Sequence, residues 1–108
     1  MRNLTPHAIV IDVAGVTQTI QPSGIIARVS TSEQSVGFCS ITGAPIVRRT
    51  FGEVEGVGSP SDGPCLVSAL VLSALGDEWS GVAFAPDTGA AIRNENGYIV
   101  AVTRLVTV

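Results

Sequence analysis

A chain of 108 residues and 11.1 kDa makes one domain with a single modest core, since a chain this short hides only roughly 65% of its unfolded surface. It is 45% hydrophobic and 14% charged, which excludes disorder and leaves apolar surface to hide; 12 Gly and 6 Pro favour a turn-rich β fold over a helical bundle. A net charge of −3 with no Lys excludes a general binder of nucleic acid polymers, which needs a basic face to displace counterions.

The first half reads as short strands between turns. Ala8–Val13 and Val16–Ile20 form a hairpin about Ala14-Gly15, and Ile25–Ser30 continues the meander after Pro22-Ser23-Gly24. Ser35–Ile41 and Ile46–Phe51, separated by Gly43-Ala44-Pro45, predict a second hairpin, and the whole an antiparallel sheet with one buried face. Gly52–Gly63 has no period and reads as a surface loop that could act as a functional lid or as a plain connector. Then come a short strand Cys65–Val67, an apolar helix over 68–75 capped by Ser68 and stopped by Gly76, and a strand Val82–Ala85. Asn96-Gly97 marks another hairpin, and Tyr98–Val108 reads as a long final strand. The expected fold is α+β: a small, mostly antiparallel sheet domain spanning 1–108, with one buried helix in a strand-helix-strand unit.

Cys39 and Cys65, with the lone His7, cannot supply the four ligands of a zinc site, and no other cofactor is expected. Both thiols are expected to be reduced and mostly buried. No apolar run approaches the roughly 20 residues of a membrane span, and the N-terminus lacks a signal-peptide pattern. A cytoplasmic setting without a membrane partner is the expectation.

The strand-helix-strand unit is the most informative place for a site. If its strands run parallel, their C-terminal ends open on one edge, which receives the helix N-terminus near Ser68 and the corner Pro86-Asp87-Thr88-Gly89. Antiparallel strands would leave no such pocket. Asp87-Thr88-Gly89-Ala90 also spells the active-site run of retroviral-type aspartic proteases, but too few residues follow Gly89 for their flap. An Asx-type turn, with Gly89 at positive φ, is the simpler expectation.

Asn3-Leu4-Thr5-Pro6-His7, Pro22-Ser23-Gly24, Ala27-Arg28-Val29, Phe51-Gly52-Glu53-Val54 and Pro86-Asp87-Thr88-Gly89 together resemble a family of small uncharacterised proteins of bacteria and their phages. The likeness spans nearly the whole chain. It implies a phage-related setting in which small proteins bind host factors or sequester nucleotide-derived immune signals.

Three readings follow. In the first, a non-enzymatic protein captures a small anionic ligand such as a nucleotide-derived signal. Arg28, Arg48 and Arg93 would neutralise its charge, Ser68 and Thr88 would donate hydrogen bonds, and Asp87 would take a hydroxyl or amine, with Phe51 as a stacking platform. His7 and Glu53 complete that candidate set. In the second, an interaction or structural module blocks or scaffolds a macromolecule through apolar surface, and those polar groups are structural. In the third, a small hydrolase uses His7 and Asp87. A homodimer or higher homo-oligomer is expected in any of them, because so apolar a chain has surface to cover.

Overall fold

The computed structural model describes every residue from Met1 to Val108. Ten strands and one helix follow in order: β1 (Arg2–Asn3), β2 (Ile9–Val13), β3 (Val16–Ile20), β4 (Arg28–Phe38), β5 (Pro45–Glu55), β6 (Cys65–Leu66), α1 (Ala69–Ala74), β7 (Ala83–Pro86), β8 (Ala91–Arg93), β9 (Ile99–Val102) and β10 (Leu105–Thr107). The chain is a small α+β domain with mixed sheets. One sheet has the order β1-β6-β7-β10, a second β3-β2-β9-β8, and β4-β5 stand alone as a two-stranded ribbon. The pairs β1/β6, β6/β7 and β2/β9 are parallel and the rest antiparallel. No helix is long and apolar enough to cross a membrane.

The core lies between the first sheet, α1 and the base of the ribbon. Leu4, Cys65, Val67, Ala83 and Ala85 meet Val71 and Leu72 of α1, Ala27 and Val57 beside the ribbon, and Trp79 from a 3-10 turn. Ser68 caps α1, its hydroxyl accepting from the Val71 amide at 3.2 Å. The helix turns Val71 and Leu72 inward and leaves Leu70 at the surface, 44% exposed. The first hairpin forms as the spacing predicts: Ala14 and Gly15 both take positive φ, 53° and 84°, the twist-matched two-residue turn.

Three expectations about elements are corrected. Ile25–Ser30 does not extend the first meander, because β4 pairs only with β5. Gly52–Gly63 is not one free loop. Gly52 to Glu55 belong to β5, and the remainder is pinned by Val57 in the core, by the Ser59–Asp62 capping box and by Arg2, whose guanidinium donates to the Val57 and Gly63 carbonyls. The segment Tyr98–Val108 breaks at Thr103-Arg104, so that β9 serves the second sheet and β10 the first.

β4 and β5 are eleven residues each, about 36 Å at strand rise, and most of that length projects beyond the core. The radius of gyration is 16.5 Å, against about 13 Å for a compact chain of this length.

Candidate functional site

The parallel register of β6 and β7 brings the two corners to one edge of the first sheet, Cys65 lying beside Ala83 and Leu66 beside Phe84. At the first corner Ser68 is committed to its cap. At the second, Asp87 is committed twice: Oδ1 accepts from the Gly89 amide at 3.0 Å, and Oδ2 accepts from Arg104 Nε at 3.0 Å. This is the expected Asx turn, although Gly89 lies outside the left-handed region. A hollow of about 270 Å³ lies between this corner and α1, lined by Ala69, Leu72, Ser73, Asp87, Thr88 and Val106. A separate groove of about 440 Å³ lies between α1 and the ribbon base, where Arg28 and Glu55 face Ser68, Leu70 and Val71. Helix α1 lines both with different residues, so Arg28 and Ser68 share one depression, and Asp87 and Thr88 the other.

The remaining candidates lie apart. Arg48 stands opposite Gln34, six residues along β4 from Arg28, which places the two about 20 Å apart on the ribbon. Phe51 is on the ribbon, opposite Thr31. Glu53 borders a depression of about 440 Å³ shared with Glu78 and Trp79. Arg93 donates to the Gly97 carbonyl at 2.8 Å and fastens the β8–β9 turn. His7 is exposed; only its backbone carbonyl is engaged, and no hydrogen bond joins its ring to Asp87.

Asn3 opens the Asn3–His7 motif but lies outside the candidate ligand set. It is 1% exposed, the only buried polar side chain, and its amide nitrogen donates to the His7 and Ile20 carbonyls at 2.8 and 2.9 Å. Its Oδ1 accepts from Thr5 twice, from the amide at 3.0 Å and the hydroxyl at 2.6 Å. The Asn3 carbonyl accepts from the Ser23 amide and hydroxyl, and the Leu4 carbonyl from the Ala27 amide. Asn3-Leu4-Thr5-Pro6-His7 and Pro22-Ser23-Gly24 are therefore two halves of one knot that ties β1 to the first hairpin. A short polar residue followed two positions later by Thr is the sequence signal for such a turn.

The ribbon and its tip expose six large apolar side chains, Val36, Phe38, Ile41, Ile46, Val47 and Phe51. Val29 and Val54 at its base pack on the core, and alternation carries that same side outward through Thr31–Phe51, Glu33–Arg49 and Ser35–Val47. The opposite side carries Ser32–Thr50, joined hydroxyl to hydroxyl at 2.6 Å, and Gln34–Arg48. Glu33 and Arg49 form an ion pair at 2.9 Å. Towards the tip, Phe38 is 73% and Ile41 92% exposed. Both long edges of the ribbon are unpaired.

Cys65 is fully buried while Cys39, beside the tip, is half-buried, and both are free thiols. Burial pushes the Cys65 thiol above its ordinary value, with the Arg2 charge opposing; hydrogen bonds from the Thr42 side chain and the backbone of Thr42 and Ile41 pull Cys39 below it. No group of His, Cys, Asp and Glu side chains is placed to hold a metal ion. Comparison with family models, curated proteins and solved structures finds no match to this chain.

Proposed function

We propose that the chain is an interaction module that scaffolds or blocks a macromolecular partner through the β4–β5 ribbon. The observation that carries this reading is a two-stranded arm, eleven residues a side, with apolar residues on exposed faces and at its tip. An isolated hairpin is marginal in water, and an uncovered edge is a template for pairing, so an arm of this length is built to be covered. The low charge of the chain points the same way, since interface centres are depleted of charged residues. The test replaces the tip residues Phe38 and Ile41 with Glu. Both are exposed, so the double variant keeps its melting temperature within a few degrees. In extract of the producing cells the native chain sediments faster than an 11.1 kDa monomer and the variant does not. A native chain that sediments as a free monomer there contradicts the reading.

One feature favours the capture of a small anion as a second reading. Arg28 has no ion pair of its own and borders the same groove as Ser68. On this reading a phosphate-bearing nucleotide raises the melting temperature of the native chain and not of Arg28→Ala. Equal shifts, or none at millimolar nucleotide, contradict it.

A further inference from the structure

We infer that the partner of the arm is a second copy of this chain, joined to it by antiparallel pairing of β4 with β4 about a two-fold axis near the middle of the strand; the inference rests on the interaction reading above. The first argument is area. The chain exposes 6976 Å², about 1,300 Å² more than a monomer of 11.1 kDa ordinarily does. A standard interface takes about 800 Å² from each partner, so the excess is enough for a stable symmetric dimer.

The second argument is the unequal protection of the two edges. β5 carries Pro45, Arg48, Arg49 and Glu53, devices that blunt an edge against pairing. β4 from Val29 to Val36 has no proline and a single charge, Glu33, which Arg49 already neutralises. Its exposed Ser and Thr residues suit a strand with a neighbour on each side.

The third argument is that the molecule is complementary to itself at the right spacing. Pairing about the midpoint of this eleven-residue strand, Glu33, sets the Phe38 end of one copy beside the Arg28 end of the other and the two Glu33 side by side, each neutralised by the Arg49 of its own ribbon. The exposed tip residues Phe38 and Ile41 then reach the partner's ribbon base, where Leu70 is exposed above the groove of about 440 Å³. Each copy offers tip and groove once, and the contact closes on itself as an isologous dimer. The joined ribbons make a four-stranded sheet whose only outer edges are the protected β5 strands.

The test uses the purified full chain. Light scattering after size exclusion gives twice the 11.1 kDa chain mass for the native protein, and the single-chain mass for Ser32→Lys, which places like charges diagonally across the axis while facing the neutral Thr50 within its own ribbon, so that the far-UV spectrum is unchanged. As an independent check, a short bis-maleimide joins two chains carrying Ser32→Cys and Cys39→Ser. It does not join native chains through Cys39, because those thiols lie at opposite ends of the joined sheet, about 40 Å apart. A dimer unaffected by Ser32→Lys and cross-linked through Cys39 overturns the β4 pairing. A purified native chain that stays monomeric overturns self-pairing altogether; an arm that is nonetheless shielded inside cells would then leave the interaction reading standing with a different partner.

Discussion

Asn3 holds four hydrogen bonds at a site that water does not reach, so truncating it leaves the His7 and Ile20 carbonyls and the Thr5 groups short of partners. Asn3→Ala should cost about 2–3 kcal/mol and lower the melting temperature by roughly 10 °C or more. Asn3→Asp should do no better, since a carboxylate cannot donate. A melting temperature within a few degrees of native in either variant contradicts the role assigned to the knot. Cys65 adds a pH dependence. Its raised folded value keeps it protonated after the unfolded chain has ionised, so its contribution is whole below the ordinary thiol value and fades as pH climbs from about 9 through the raised value. Cys39, held below its ordinary value, works in the opposite direction, so the test belongs in a Cys39→Ser background. There the denaturant midpoint should fall with alkaline pH, and Cys65→Ala should flatten that fall; identical slopes contradict it. At this scale the Asx turn at Asp87 and the Ser68 cap were legible, because both follow from side-chain chemistry acting two or three residues away. The pairing of Asp87 with Arg104 was not, because it depends on β10 returning beside β7.

Elements that close locally were the legible ones. The β2–β3 hairpin, the strand-helix-strand unit and the β8–β9 turn each rest on a turn or cap signal within a few residues. The long ribbon was under-read because Gly52 and Glu53 look like loop residues; in the fold they form a bulge on β5, where a Cβ on Gly52 would collide with the Ser30 hydroxyl. Gly56 closes the ribbon base at φ 83°, and a Cβ there would lie 2.7 Å from the Ile26 carbonyl oxygen. The tight turn at Ala14 offers a gain instead. Ala14 is the only non-glycine residue at positive φ, and Ala14→Asn creates the Asn-Gly pair that this turn prefers. It should raise stability by about 0.5–1 kcal/mol, read as a melting temperature several degrees higher; a decrease contradicts the turn assignment. Ser68→Ala should cost about 1 kcal/mol through the lost cap, because its hydroxyl serves the Val71 amide; an unchanged melting temperature contradicts the cap.

For the whole molecule, composition foretold apolar surface but not its place. Exposed hydrophobic residues concentrate where strand pairing ends, and the end of pairing is a tertiary fact that no window of sequence contains. The candidate anion ligands illustrate the same point: Arg28 and Ser68 meet, while Arg48 lies far along the arm and Arg93 is occupied by its own turn. The central claim is that the arm is covered when the protein is at work, and thiol accessibility in intact cells tests it most directly. In a Cys39→Ser background, a cysteine placed at Ile41 at the tip of the ribbon is compared with one at Thr17 on the exposed face of β3, the buried Cys65 staying silent in both. The account predicts maleimide labelling at 41 several-fold slower than at 17 before denaturation and equal after it; equal rates at both positions in the intact cell would contradict it.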